Sequence, residues 1–233
     1  MPLLRPAGAG RLSMRLLLIR HAESQGNFER RLQGRREFPL TERGLAQARA
    51  LAERLVPLPL SAVYSSPVGR AMQTAEVIST KACLDVIAEP RLQEYDFGEA
   101  VSGLTWQEIR EQQPEIIEAF RSGRSDFPAY PGEEGRAAFQ DRVRAAMRDI
   151  AERHEGGEHV AVITHAGPIT LFLFDVLGKE YRRPIPFVLD NASITTVEVN
   201  NGARSHVPPM IVTGINDACH VNHIQSDDRA GGT

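Results

Sequence analysis

Several residue types are scarce in this 233-residue chain, and each scarcity excludes a class of protein. The two cysteines, Cys83 and Cys219, are too few for a disulfide framework or a four-cysteine zinc site. No apolar run approaches the roughly 18 residues that a membrane-spanning helix needs. The net charge of −3 argues against a general nucleic-acid binder. We therefore expect a cytoplasmic protein with no nucleic-acid partner and no membrane partner.

The residues that are present have the composition of a folded domain. Hydrophobic residues make up 42% of the chain and charged residues 24%, which is typical of globular proteins. The length suits one domain with a small insertion. Only Lys81 and Lys179 are lysines among the 27 basic residues. A GC-rich genome explains this bias, and a second interpretation is that some arginines bind phosphate or carboxylate with both arms of the guanidinium.

Strand and helix patterns alternate along most of the chain. Short apolar runs at 15–19 and 159–163 are typical of buried strands, and the longest helical pattern spans 134–152. This alternation predicts an α/β fold with a mostly parallel central sheet and helices on both faces. Runs at 193–199 and 203–212 surround Asn200-Asn201-Gly202 and predict a hairpin. Its outer strand offers an edge at which two copies could pair as a homodimer.

Three segments depart from the alternating pattern. Residues 1–13 are rich in Pro, Gly, Ala and Arg and are predicted to be a disordered extension, with Met14 as an alternative start. Residues 224–233 are polar and are predicted to be a flexible tail. The segment 92–131 has helical patterns but no strand pattern. It is therefore predicted to be a small helical cap inserted into a domain that spans 14–223.

Each of two predicted buried strands runs directly into a histidine. His21 follows the first strand and His165 follows the second. Ligands of open α/β sheets bind beyond the carboxyl ends of the strands, so these histidines are expected to face one crevice. The alternative interpretation is that both are solvated loop histidines.

Two arginines are predicted to join the histidines. Arg20 precedes His21, and Arg70 lies near the start of the helix predicted after Ser65-Ser66-Pro67. Helix N-termini attract anions, and arginine adds bidentate donors. The set suits a dianionic phosphoryl group. Its positive charge would also lower the pKa of a histidine, which favours the neutral imidazole that a nucleophile needs.

Five sequence blocks in order resemble the histidine phosphatase superfamily, which is also called phosphoglycerate mutase-like. They read LIRHAESQGN from Leu18, QG from Gln33 followed by PLTERG, SSPVGRAMQTA from Ser65, LQEYDFGE from Leu92 and THAG from Thr164. The resemblance covers about residues 15–199. Each block is weak alone, and five blocks in order with sensible spacing are specific.

The resemblance implies a role for each matching residue. His21 would attack phosphorus and become a phosphohistidine, Glu94 would be the general acid, and His165 would complete the catalytic set. Asp96 and Glu99 compete with Glu94 for the acid role. The residues implied to bind phosphate or substrate are Arg20, Asn27, Gln33, Gly34, Arg70 and Ala166, the last through its backbone N–H. The resemblance implies no cofactor and no metal.

The expected function is that of a metal-independent phosphomonoesterase acting on a small phosphorylated metabolite. Cofactor-dependent phosphoglycerate mutases carry a long WRLNER-type stretch that is missing here, so a mutase is the second alternative. A non-catalytic phosphate-binding module is the third. The substrate stays open among a sugar phosphate, a phosphoglycerate and a nucleotide-like α-ribazole phosphate. Four arginines flank Gln33-Gly34 and form either a solvated face or a site for a second anionic group: Arg30, Arg31, Arg35 and Arg36.

Overall fold

The structure, a computed structural model, describes residues 13–121, 130–154, 156–181, 185–200 and 209–224. Within these ranges the strands are β1 (Met14–Arg20), β2 (Leu60–Ser65), β3 (Val86–Ala88), β4 (His159–Thr164), β5 (Ile194–Val199) and β6 (Met210–Asp217). The α-helices are α1 (Gln25–Phe28), α2 (Glu42–Leu55), α3 (Gly69–Ala82), α4 (Trp106–Gln112), α5 (Pro114–Arg121), α6 (Arg136–Arg153) and α7 (Ala166–Val176). The predicted extension and tail lie outside these ranges, apart from one residue each.

The six strands form a single sheet in the order β3-β2-β4-β1-β5-β6. The first four strands of this order run parallel to one another, and β5 and β6 are each antiparallel to their neighbours. The predicted mostly parallel α/β sheet is therefore confirmed. In the β1–β4 register Arg20 lies opposite Thr164, so the residues that follow these strands emerge side by side at one edge of the sheet.

Apolar cores cover both faces of the sheet, as predicted. Side chains alternate along β1, so Leu16 and Leu18 belong to one core while Leu17 and Ile19 belong to the other. The helices α6 and α7 pack on the first face, and α2 and α3 pack on the second. No helix in the described part of the chain is long and apolar enough to cross a membrane.

The segment predicted as a cap has an apolar cluster of its own. Val101, Ile109, Ile116 and Ile117 are buried together, apart from the two cores of the sheet. Helix α4 ends at Gln112, and helix α5 begins at Pro114. The wider division of the chain into extension, domain, cap and tail stays a prediction.

The predicted hairpin exists, but its second strand extends further along the chain than predicted. The strands β5 and β6 pair antiparallel, with Val199 opposite Met210. Since Val199 and Met210 are eleven positions apart, the Asn-Gly sequence does not close a two-residue turn between these strands. The strand β6 continues to Asp217, five residues past the predicted end. Residues 203–208 of the predicted strand lie outside the described ranges. The β6 strand occupies one edge of the sheet.

Candidate active site

The strand register places the two predicted histidines against each other. The ring centroids of His21 and His165 lie 5.1 Å apart, and the rings make an angle of 63°. Their residues are only 3% and 0% exposed. The interpretation that these are solvated loop histidines is therefore wrong. The two strand ends converge because β1 and β4 are adjacent and parallel.

The hydrogen bonds of His21 define which ring nitrogen is available as a nucleophile. Its Nδ1 lies 2.7 Å from the carbonyl oxygen of Ala22, which can only accept, so Nδ1 carries the proton. Its Nε2 accepts a hydrogen bond from Nε of Arg70 at 3.1 Å. The lone pair of the neutral ring is therefore on Nε2. Burial and the charges of Arg70 and Arg20 hold the pKa of His21 well below its usual range, so the ring stays neutral.

Two hydrogen bonds fix the orientation of the His165 ring in a similar way. Its Nδ1 accepts from Nη2 of Arg70 at 3.2 Å, and its Nε2 then donates to Oγ of Ser66 at 2.8 Å. Burial, followed by the charge of Arg70, holds the pKa of His165 well below its usual range. An arriving phosphoryl dianion would favour protonation of this ring, because a nearby negative charge raises the pKa of a histidine.

Arg70 connects the histidines to the loop that precedes α2. It is 1% exposed and lies in the first turn of α3. Besides its two histidine contacts, Nη2 donates to the carbonyl of Gly34 at 2.6 Å and Nη1 to the carbonyl of Arg36 at 3.0 Å. Burial lowers its pKa to about 10, so the guanidinium remains charged at neutral pH. Its partners are neutral, and the positive charge is free to act on a ligand.

Arg20 supplies a second positive charge at the same place. Its Nη1 donates to the carbonyl of Leu189 at 2.5 Å, while its buried Nε has no hydrogen-bond partner. Within the described residues neither Arg20 nor Arg70 has a carboxylate oxygen within 4.0 Å. One buried and one partly buried cation without ion pairs form a site suited to a dianion such as a phosphoryl group.

Glu94 lies beside these cations as a carboxyl group whose pKa is raised. Its Oε2 accepts from the backbone N–H of Gly167 at 3.1 Å. A Cβ at position 167 would overlap this carboxyl, so glycine is needed for the close approach. Burial raises the pKa of Glu94, although the Gly167 N–H and the charges of Arg70 and Arg20 oppose the shift. A carboxyl with a raised pKa beside a phosphate site is suited to general acid catalysis.

The N-terminus of α7 points its donors into the same region. His165 is the N-cap of this helix and Ala166 is its first residue. The N–H groups of a first helical turn have no acceptor within the helix, and they attract anions. The backbone N–H of Ala166 is therefore one of these free donors, in agreement with the phosphate-binding role that the resemblance implies for it.

Asn27 and Gln33 lie on the other side of His21. The Oδ1 of Asn27 accepts from the backbone N–H of Ser24 at 3.2 Å, and the Oε1 of Gln33 accepts from the hydroxyl of Ser24 at 2.8 Å. Both side-chain oxygens are therefore held by protein donors, which leaves the amide nitrogens to donate to a ligand. Gly34 acts differently, because its carbonyl is an acceptor for Arg70 and its φ of +53° lies in the region that favours glycine.

Asp96 and Glu99, the alternatives to Glu94 as the acid, have different environments in the structure. The arginines that flank Gln33 also differ from one another in their partners. Asp96 accepts from the backbone N–H of Gly98, and its other oxygen lies 3.7 Å from Arg35. Glu99 is exposed. Arg31 pairs with Glu29 and Glu108, Arg35 pairs with Glu134, and Arg36 donates to the carbonyl of Ser102. The four arginines therefore do not act as one anion site: Arg31 and Arg35 are ion-paired, and only Arg36 faces a cavity.

The sequence analysis did not predict a role for Asn191, which contacts both His21 and Asn27. Its Nδ2 donates to the carbonyl of His21 at 3.0 Å and lies 3.2 Å from Oδ1 of Asn27. The neighbouring Ala192 has a φ of +59°, and its backbone N–H also bonds the carbonyl of His21. Nε2 of His220 donates to the carbonyl of Ala192 at 3.0 Å. The only signal in the sequence is an Asp-Asn pair just before a strand, which predicts a turn.

One group of metal-ligand type lies in the described residues. Asp217, Cys219 and His220 bring one ligand atom each within 4.8 Å of one another. Asp217 is already engaged by the backbone N–H of Cys219 and lies 3.5 Å from Arg54. His220 is used to hold the carbonyl of Ala192. These residues thus have structural partners without a metal.

Comparison with known proteins gives a result that agrees with this geometry. A model of the histidine phosphatase superfamily (branch 1) matches residues 16–207. The chain belongs to the histidine phosphatase superfamily. A relative from Hydrogenobacter thermophilus named phosphoserine phosphatase 1 is 31% identical over 208 residues, which cover 89% of this chain and 94% of the relative. An Arabidopsis thaliana relative named metal-independent phosphoserine phosphatase is 42% identical over 155 residues, covering 65% of this chain and 64% of the relative.

Solved structures of this superfamily have the same fold. YhfR of Bacillus stearothermophilus superimposes with a TM-score of 0.77 at 30% identity, covering 91% of this chain and all of the other. Mutase names also occur among the relatives, including a phosphoglycerate mutase-like protein of Arabidopsis thaliana. Phosphatase names occur both among the curated relatives and among solved structures that are 26% identical to this chain. This histidine phosphatase is a phosphoric monoester hydrolase.

Proposed function

We propose that this histidine phosphatase hydrolyses its ester in two displacements at phosphorus, with His21 as nucleophile and Glu94 as acid and base. One observation carries the proposal. The Nε2 lone pair of the neutral His21 faces the buried Arg70, the partly buried Arg20 lies nearby, and neither arginine has an ion pair in the described structure. A lone pair at a phosphate-binding site is what nucleophilic phosphoryl transfer requires.

In the first displacement the Nε2 of His21 forms a bond to phosphorus, and the bond from phosphorus to the ester oxygen breaks. Glu94 gives its proton to that oxygen, and the product alcohol leaves. In the second displacement a water oxygen attacks phosphorus and the nitrogen–phosphorus bond breaks. Glu94 takes the proton from the water, and inorganic phosphate leaves. The enzyme returns to its starting protonation state.

The cations and N–H donors stabilise charge in both displacements. Arg20, Arg70, His165 and the first turn of α7 would bind the three non-bridging oxygens, with Asn27 as a further donor. Preorganised donors of this kind contribute more to the rate than acid catalysis does, since removing a single one costs about 10² to 10³ in kcat. Acid catalysis contributes about 10² to 10⁴ in total.

O-Phosphoserine is the substrate that we propose to test first. Two relatives are named phosphoserine phosphatases, and one of them aligns along nearly its whole length with this chain. We further propose that the enzyme is cytoplasmic, acts on a small phosphorylated metabolite, and needs no nucleic-acid or membrane partner. Its β6 edge, where Thr213 and Ile215 are exposed, is the surface at which we expect any homodimer to form.

The test is phosphate release from a panel of monoesters in the presence of EDTA, with the wild type and His21→Ala compared. We expect release by the wild type and loss of it in the variant. Interconversion of phosphoglycerates without net phosphate release would instead indicate the mutase. Binding of inorganic phosphate with no turnover of any ester would indicate a binding module and overturn the proposal.

A further inference from the structure

Glu94 lies in a loop whose backbone carbonyls are held by one arginine of α6. Nη1 of Arg142 donates to the carbonyl oxygens of Arg91 at 2.8 Å and Gln93 at 2.7 Å. Its Nη2 donates to the carbonyl oxygen of Glu94 itself at 2.9 Å. Residues 93–98 belong to no helix or strand. The side chain of Arg142 therefore supplies hydrogen bonds that regular secondary structure would otherwise provide.

A carboxylate connects Arg142 to an arginine of another loop. Glu134 precedes α6 and accepts from Nε and Nη2 of Arg142, and its Oε1 also lies 2.8 Å from Nη2 of Arg35. Nε of Arg35 in turn donates to the carbonyl of Glu94 at 3.4 Å. The side chains of Arg142 and Glu134 are only 15% and 9% exposed. Charge-assisted hydrogen bonds with little access to water are strong and directional, so these three side chains form a bridge, Arg142–Glu134–Arg35.

The far end of this bridge belongs to the loop that anchors the phosphate arginine. The residues on either side of Arg35 are Gly34 and Arg36, whose carbonyls accept from Arg70. The bridge thus joins the loop that carries the proposed acid to the loop that holds Arg70. The acid has to reach the ester oxygen of a phosphoryl group bound by Arg70, so proton transfer depends on how these two loops are placed.

The carboxyl of Glu94 takes its position from its own backbone. Two backbone N–H groups donate to it, that of Tyr95 at 2.9 Å and that of Gly167 at 3.1 Å. Arg142 bonds to the carbonyl oxygen of Glu94, and this contact lies outside the carboxyl. A shift of the loop would therefore move the carboxyl away from the Gly167 N–H and from the phosphate site.

We infer that Arg142 is a positioning residue for the acid step, and that Glu134 and Arg35 complete the bridge that places the acid loop against the phosphate site. Arg142 acts through the backbone of Glu94 and is not itself a proton donor in the reaction. The inference rests on the proposed function, because it requires Glu94 to be the acid.

Esters with different leaving groups separate positioning of the acid from a general structural role. An alkoxide needs a proton from the acid, whereas p-nitrophenolate leaves readily without one. We expect Arg142→Gln to lower kcat about 10- to 100-fold for the best alkyl ester of the panel, with phosphoserine tried first, and less than about threefold for p-nitrophenyl phosphate. In a Glu94→Gln background the same substitution should cause almost no further loss on the alkyl ester, because the group that it positions is already gone.

A matched control lies on the same helix. Arg144→Gln removes an exposed ion pair with Asp175 and should leave the rates for both esters unchanged. Glu134→Gln keeps the shape of the bridge without its charge, and it should show a milder loss with the same dependence on the leaving group. This second variant keeps the inference testable if thermal unfolding shows that Arg142→Gln does not fold.

Three results would overturn the inference: no loss in either bridge variant, equal losses on the two esters, or a further tenfold loss in the Glu94→Gln background. Failure of the proposed function has a different signature. In that case Glu94→Gln alone lowers the rates for both esters equally, or the wild type releases phosphate from none of the esters.

Discussion

The Nε of Arg70 lies 3.1 Å from the Nε2 of His21, so the guanidinium donates to the lone pair that the reaction uses. This hydrogen bond therefore occupies the lone pair of the nucleophile. A phosphate ester brings oxygens that compete for the same donor, and their negative charge makes them the stronger acceptors. Binding of the phosphoryl group would thus release Nε2 at the moment when it is needed.

Replacement of Arg70 by lysine tests this arrangement. Lysine keeps a positive charge but loses the planar fork that contacts two rings and two carbonyls at once. We expect Arg70→Lys to lower kcat/KM about 10²- to 10³-fold, by analogy with the loss of one preorganised donor. Steady-state phosphate release measures this, with the exposed Arg49→Lys as control. A fall of less than about threefold would mean that charge alone suffices.

Replacement of Glu94 by glutamine should have an effect that depends on the leaving group. A serine alkoxide is a poor leaving group and needs the proton, whereas p-nitrophenolate leaves readily without one. We expect Glu94→Gln to lower kcat for phosphoserine by about 10²- to 10⁴-fold and to affect p-nitrophenyl phosphate far less. Equal losses on both esters would show that Glu94 serves another purpose, and Asp96 or Glu99 would then be tested.

The pH dependence of kcat/KM follows from the same residue. Burial raises the pKa of Glu94 above 4.5, and the acid works only when protonated. Activity should therefore fall as the pH rises through this raised pKa, and the Glu94→Gln variant should lack that limb. His21, whose pKa is held below 6.5 by burial, should not cause a loss until the pH is well below that value. A pH–rate profile of the two proteins on phosphoserine checks both limbs.

The buried histidines also make stability depend on pH. His21 and His165 have lowered pKa values in the folded state, so below pH 6.5 the unfolded chain binds protons that the folded chain does not. Stability therefore falls as the pH decreases. Between pH 7.5 and 5.5 each such histidine contributes about 1.4 kcal/mol to the loss. Urea unfolding at both pH values should show a smaller change in His165→Gln than in the wild type.

Substitution of Asn191 tests whether a residue that does not contact phosphorus positions the nucleophile His21. Its amide holds the carbonyl of His21 and the side chain of Asn27. We expect Asn191→Ala to lower kcat about tenfold or more, because a displaced nucleophile loses alignment. Thermal unfolding of the variant distinguishes this from a general loss of structure. Asn191→Asp has the same shape but no donor, and it should be equally impaired if the hydrogen bond is what matters.

The centre of the site was predictable because it depends on patterns that are local in sequence. Apolar runs identify β1 and β4, and the rule that parallel strands present their carboxyl ends at one edge brings His21 and His165 together. The other two partners of Arg70 were not predictable, since they are backbone carbonyls, which every residue possesses. The different partners of the arginines near Gln33 were not predictable for a similar reason. Their ion pairs involve Glu108 and Glu134, which lie far away in sequence.

The four hydrogen bonds of Arg70 have a consequence for the folding of the protein. One side chain joins the end of β1, the loop before α2, the start of α3 and the start of α7. These pieces are distant in sequence, and no subset of them makes a charged pocket. The site is therefore complete only when these strands and helices have docked together.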